Sequence, residues 1–165
     1  MKTPRMRLVA ALVFPIVVLA GNAWMNHQQR EAGKRITFPI EGFDPRDLLS
    51  GHYLVFKVNY EIAQGNSCPS SDINAKLCLE PEKRVYPEDE LPAQCTLYLP
   101  GTCNSDKQFD AGFERFYIPE QKAAQLEQLV QAKRAKLELS IDQYGNASIR
   151  DLLIDNKPWK QVLSD

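Results

Sequence analysis

The sequence predicts an α+β fold: a single N-terminal transmembrane helix followed by a mainly antiparallel β domain with one packed amphipathic helix. Three observations predict it. From Leu8 to Met25 the only clearly polar residue is Asn22, and eighteen residues at a rise of about 1.5 Å cover roughly 27 Å, close to a ~30 Å hydrocarbon layer. Beyond that stretch, several short segments alternate apolar and polar residues with the period of strands that have one face in a core. One later segment alone has helical spacing: from Pro119 to about Arg134, where Leu126, Leu129 and Val130 form an i, i+3, i+4 stripe.

The apolar stretch is preceded by Lys2, Arg5 and Arg7 and by no acid. Basic flanks stay on the cytoplasmic side, which orients the helix and sends the rest of the chain out of the cytoplasm, with Trp24 as an interfacial anchor. A cleavable signal peptide is the rival, since the core from Leu8 to Ala20 is short and Gly21-Asn22-Ala23 offers small residues at a cut. The organisation expected is an anchor over 1–25, a linker or helix extension over 26–35, and one exported domain over 36–165, a length that suits one compact unit. The chain has 20 basic and 21 acidic residues. Without the three N-terminal cations the exported part is mildly acidic and has no basic stripe, which disfavours nucleic acid as a partner.

Ile36 to Ile40 is expected as a first strand, placed at an edge by Pro39. Asp44-Pro45 can cap a short helical turn that Gly51 ends. From Gly51 to Tyr60 the alternation is the cleanest in the chain: Leu54, Phe56, Val58, Tyr60 and Ile62 share one face, and Lys57, Asn59 and Glu61 the other. One continuous central strand is expected there. Ala63 to Asp72 is rich in turn residues and reads as a loop. A short strand around Lys76 to Glu80 follows, then a solvated loop from Pro81 to Pro92. Gln94 to Leu99 is expected as a strand, Pro100-Gly101 as a turn, and Phe113 to Ile118 as another strand. After the helix, Leu137, Leu139 and Ile141 mark a strand, Tyr144-Gly145-Asn146 a turn, and Ala147 to Ile154 the returning strand, where adjacent Leu152 and Leu153 suggest a bulge or burial on both faces.

All four cysteines, Cys68, Cys78, Cys95 and Cys103, lie in the exported part. An even number there reads as two disulfides. Nine, sixteen and seven residues separate neighbours, so neither a zinc knuckle nor a C-x-x-C redox pair is present. Any of three pairings fits. No metal site and no cofactor is expected.

Candidate chemistry is sparse. Ser50 and His52, near Asp44, Asp47 and Glu61, have the residue types of a nucleophile, base and acid, but they flank a turn, and such an arrangement is recognised by geometry. Ser50 with Lys57 has the residue types of a serine-lysine pair, against which Lys57 falls on the solvated face of its strand. His27 lies beside the membrane stretch, far from His52, which makes a poor metal site. Tyr53, Phe56, Tyr60, Phe113, Phe116 and Tyr117 could line a ligand groove, although aromatics at strand spacing are more often core or cross-strand partners. The acids between Glu80 and Glu90 could meet a basic partner, but such runs are usually hydrated.

Four separated segments carry a resemblance. Asp44-Pro45-Arg46-Asp47-Leu48-Leu49-Ser50-Gly51-His52-Tyr53, then Glu114-Arg115-Phe116-Tyr117-Ile118-Pro119-Glu120, then Gly145 to Leu152 through Pro158-Trp159, together with the N-terminal helix, resemble the GDYXXLXY family of bacterial membrane-associated proteins. The signature itself departs here: Gly51 and Tyr53 match, His52 replaces the acid, Phe56 replaces leucine and Val58 stands where tyrosine would. A role that needs a carboxylate at the second position is therefore not carried over. The resemblance implies a single-pass protein of the bacterial inner membrane with its C-terminal domain in the periplasm. It has the lipid bilayer and a multi-pass membrane protein as partners, and serves as a noncatalytic or stabilising subunit. A membrane-surface serine hydrolase using Ser50 with Lys57 or His52, and a ligand-binding sensor domain, are the alternatives. The resemblance also favours pairing Cys78 with Cys103 and Cys68 with Cys95.

Overall fold

The computed structural model describes residues 4–41 and 53–163; within them the side chains of residues 4–8, 10, 26, 27, 29, 30, 53–55 and 120 are not described. The chain opens with helix α1, Pro4–Ala32. From Ala11 to Met25 every residue of α1 is exposed. Among the described residues no helix is long and apolar enough to cross a membrane; the unbroken run of described side chains in α1 is those fifteen residues.

Gly33 alone separates α1 from strand β1, Lys34–Glu41. A side chain there would press on Ser140 Oγ and meet the Ile141 backbone at 3.0 and 3.1 Å, so only glycine lets the helix turn this close to the sheet. The five-stranded sheet runs β11, β10, β9, β1, β3 in space: β3 is Lys57–Val58, β9 Ala135–Ile141, β10 Ala147–Ile154 and β11 Lys157–Pro158. The pairings β1–β3, β1–β9, β9–β10 and β10–β11 are all antiparallel. A second, four-stranded sheet runs β5 (Arg84–Pro87), β4 (Ile73–Glu80), β6 (Leu97–Cys103), β7 (Phe109–Asp110). A ribbon pairs β2, Tyr53–Val55, with β8, Arg115–Tyr117. Helix α2, Glu120–Gln131, lies against β1 and β2, and a short helix α3, Trp159–Val162, follows β11.

One core joins these parts. Phe38 and Ile40 of β1, Leu137 and Leu139 of β9, Leu77 of β4 and Leu99 of β6 are each at most 1% exposed, as are Leu126 and Val130 from α2. The α2 stripe expected from its spacing is thus its buried face. The helix stops three residues short of Arg134 because Lys133 takes a left-handed conformation, φ 56°. The β9–β10 hairpin forms around Gly145, φ 81°. Its bulge sits at Arg150, between the pairs Ile149–Leu139 and Asp151–Glu138, while Leu152 is buried and Leu153 only half-buried.

Five expectations need correction. The central strand is not one ladder: β2 pairs with β8 and β3 with β1, and the break falls at Phe56, whose amide donates to the Glu114 carbonyl at 3.0 Å. Alternation still gives the faces correctly, since Phe56 and Tyr60 are buried and Lys57, Asn59 and Glu61 exposed. The loop from Pro81 to Pro92 contains β5, an edge strand with Val85 inward; Pro81 and Pro92 lie outside it and Pro87 ends it. Pro100-Gly101 is no turn but the middle of β6. Gly101 is there because the Asp110 carbonyl and the Phe109 ring cross it, the ring atoms 2.6 and 2.9 Å from where a Cβ would stand. Pro39 lies on a flank only in part: β1 pairs with β9 over Lys34–Pro39 and with β3 at Ile40–Glu41.

The fifth correction is the disulfides, which join Cys68 to Cys103 and Cys78 to Cys95, not Cys78 to Cys103 and Cys68 to Cys95. The antiparallel register of β4 on β6 decides this. Ile73 faces Cys103 and Cys78 faces Tyr98, so Cys78 and Cys103 stand five residues apart along the ladder, about 17 Å at 3.4 Å each. A disulfide needs Cα atoms within about 7 Å, and the observed separations are 5.8 and 5.9 Å.

Candidate functional site

The strand directions give the domain two ends. The near end carries the α1 terminus, the start of β1 and the β9–β10 turn; the far end, seven residues along β1 and thus about 24 Å away, carries Glu41, β3 and the β6–β7 turn. Each end holds a cavity.

At the far end an open groove of about 650 Å³ lies between β3, the segment Asn59–Ile62, the loop before β4 and the β6–β7 turn. Its floor is apolar, with Val58, Ile62 and the rings of Tyr60 and Phe109. Tyr60 is 5% exposed and packs edge-on to Phe38 and Phe109, centroids 5.2 and 5.3 Å away. Its hydroxyl accepts a hydrogen bond from the Ala111 amide at 3.2 Å, and burial, foremost, pushes the phenol well above its ordinary range. Two local devices shape the walls. Asn104 Oδ1 accepts from the Asp106 and Gln108 amides, folding the β6–β7 turn and setting out Lys107. Buried Asn66 donates to Glu82 at 2.6 Å and accepts from Arg84 at 2.9 Å, and with the Cys68–Cys103 bridge it holds Ser67 in place.

The charges in the groove are unequal. Glu61 pairs with Lys83 at 2.7 Å and Glu41 with Lys133 at 3.6 Å. Lys57 and Lys107 also line the groove, and neither ammonium has an ion pair or hydrogen bond among the described residues. Beside the groove, Glu114 is the one carboxyl among the described residues with a large shift: burial, then a hydrogen bond shared with Asp110, push it up to about 7.

At the near end a cavity of about 560 Å³ is lined by Ala32, Lys34, Glu80, Leu97, Asp142 and Tyr144 among others. Its charges are satisfied internally. Lys34 pairs with Glu80, and Asp142 accepts from the Tyr144 and Asn146 amides and the Asn146 side chain at 2.8 to 2.9 Å. Beside it, Arg150 reaches Glu31 of α1 at 2.8 Å and Glu138 at 3.6 Å.

Of the residues singled out from the sequence, Ser50, Gly51 and His52, with Asp44 and Asp47, lie outside the described residues, so no nucleophile and base geometry can be drawn for Ser50 with His52 or Lys57. The side chains of His27, Tyr53 and Glu120 are likewise not described. Phe56 and Ile118 are core; Pro119 precedes α2 in an extended conformation, and Tyr117 is 78% exposed on β8. Of the six aromatics considered for a groove, only Tyr60 lines the far one, and Phe113 and Phe116 pack against the core. Among the described residues no cluster of His, Cys, Asp or Glu could hold a metal ion. Lys107, Phe109 and Asp110 carried no expectation from the sequence, and Glu114 entered only as the first residue of the Glu114–Glu120 resemblance. The turn chemistry of Asn104-Ser105-Asp106 between Cys103 and Phe109 was the available signal; nothing marked the two carboxyls, which the chain brings together outside any regular spacing.

A family model described as GDYXXLXY protein matches residues 15–152, beginning within α1 and ending in β10. No curated protein and no solved structure matches the chain.

Proposed function

The chain belongs to the GDYXXLXY protein family, and from that membership we propose that it is a membrane-anchored domain of the bacterial inner membrane, facing the periplasm, which serves as a noncatalytic partner or stabilising subunit of a multi-pass membrane protein. One observation carries the anchoring: from Ala11 to Met25 α1 is exposed on all sides, and its side chains there are apolar apart from Asn22. A helix apolar all round is stable inside a large core or in a bilayer, and the domain's own core leaves this run uncovered. The sequence from Leu8 supplies the length of a span, with basic residues before it. Two disulfides suit an oxidising compartment such as the periplasm.

The attachment of α1 supports a role in holding a fixed position beside a partner. Gly33 is the only residue between helix and sheet, and the Arg150–Glu31 pair crosses the junction. The test is extraction of native membranes with alkaline carbonate, followed by purification of the full chain in mild detergent. The expected result is retention in the membrane pellet and recovery with one reproducible membrane protein. A soluble chain overturns the anchoring, and a detergent-purified monomer with no recurrent companion overturns the partner role.

A further inference from the structure

We propose that the far-end groove is a binding site for a small diffusible anion with an apolar or aromatic body, its negative group held by Lys57 and Lys107 and its body lying on Tyr60 and Phe109. Three observations carry this. The groove, at about 650 Å³, falls within the range of small-molecule sites, which combine an apolar lining with a few convergent polar groups. Its two acids already have lysine partners, Lys83 for Glu61 and Lys133 for Glu41, so among the described residues the charge left to an incoming ligand is that of Lys57 and Lys107. The near-end cavity is of similar size, but its Lys34 and Asp142 are satisfied within the fold, so of these two cavities it is the groove that presents unpaired ammonium groups among the described residues.

The same ligand chemistry has two sources, an anionic lipid headgroup with its acyl chain or a diffusible molecule. The distance favours the second. The groove lies at the opposite end of β1 from α1, about 24 Å along the strand, and this separation from the anchor is the ground for a diffusible ligand. This choice of source rests on the anchoring proposed above; the groove and its lysines do not, so soluble protein in the carbonate experiment and loss of binding here are separate results.

The test uses the full chain in phosphatidylcholine nanodiscs, with 2-naphthyl phosphate as probe, measured by equilibrium dialysis against empty discs. Saturable binding is expected, weaker by about tenfold or more for neutral 2-naphthol and for the double variant Lys57→Gln/Lys107→Gln, tenfold being the effect of one modest charge contact. Neither lysine has a side-chain partner among the described residues, so the variant should keep the wild-type Tm. Acetylation footprinting supplies the location: the probe should slow modification of Lys57 and Lys107 and leave exposed Lys157 unchanged. No saturable binding, equal affinity for 2-naphthol, or an undiminished double variant overturns the proposal. Loss of probe binding on changing to phosphatidylglycerol discs overturns the diffusible source and assigns the groove to lipid.

Discussion

The two ends of this domain are built from the same parts and differ in what they leave unmatched. Each has a disulfide, Cys78–Cys95 towards the near end and Cys68–Cys103 towards the far end, and each has a cavity of comparable size. At the near end every charge named above has its partner in the fold, and one of these pairs, Arg150 with Glu31, crosses to the helix. At the far end two lysines stand without one among the described residues, and a carboxyl is held high in its titration range. Internal pairing fixes geometry, whereas unmatched charge beside an apolar floor is available to something outside the fold. The near end is therefore best understood as a joint, and the far end as a place of contact.

The largest test of this contrast is removal of each bridge. On the chain-entropy account, closing the 35-residue separation of Cys68–Cys103 stabilises by about 4 kcal/mol and the 17-residue separation of Cys78–Cys95 by about 3 kcal/mol. Chemical denaturation of Cys68→Ala/Cys103→Ala and Cys78→Ala/Cys95→Ala should reproduce that order, and only the first pair should weaken probe binding in the groove. Equal loss of binding from both would mean that the ends are not independent. Next in size is Gly33→Val, which places a branched side chain against the Ile141 backbone and should cost about 1 to 3 kcal/mol. Unchanged stability would show that the junction is loose.

A smaller effect, distinctive in its sign, belongs to Glu114. Its folded pKa is raised from 4.5 to about 7, so between those values the folded chain keeps a proton that the unfolded chain releases. Stability from this group is present in full below pH 4.5 and is lost as pH rises towards about 7. Glu114→Gln should flatten the dependence of Tm on pH across that window; a slope equal to wild type would remove the account. The smallest expected effect is the coupling between Arg150 and Glu31, which is half-exposed on the glutamate side and should be worth about 0.5 kcal/mol in a double-mutant cycle. Zero coupling would leave the junction to Gly33 and the Arg35–Glu31 pair.

What the sequence made legible was burial, and what it hid was partnership. Period-two spacing from Phe56 to Ile62 placed each side chain on the correct face, because burial is a property of one segment. Whether Phe56 continues a ladder or ends one depends on β8 and β1, which lie far along the chain. The same limit explains β5, whose prolines bracket a strand, and Gly101, whose smallness answers to Phe109 and Asp110 crossing over it. The β9–β10 hairpin and α2 were legible since their turn, spacing and boundaries are all local. At the groove Lys57, Val58, Asn59, Tyr60, Glu61 and Ile62 were legible, but as strand faces, signature positions or candidate chemistry and not as one wall. Its remaining wall comes from a turn that the sequence marks only with Asn104 and its neighbours, and the Asp110–Glu114 pair requires three-dimensional proximity.

The bridges are nested: Cys78–Cys95 lies inside the loop closed by Cys68–Cys103. In a chain delivered N-terminus first to an oxidising compartment, Cys68 and Cys78 arrive together before either native partner has emerged. Oxidation at that moment joins the wrong sulfurs. The order of synthesis and the order of bonding thus conflict, and correct maturation requires either that oxidation wait until the β4–β6 hairpin has closed or that a disulfide isomerase exchange the early bond. The register of two strands thus sets the timing of this chain's maturation: fold before oxidation, or exchange after it.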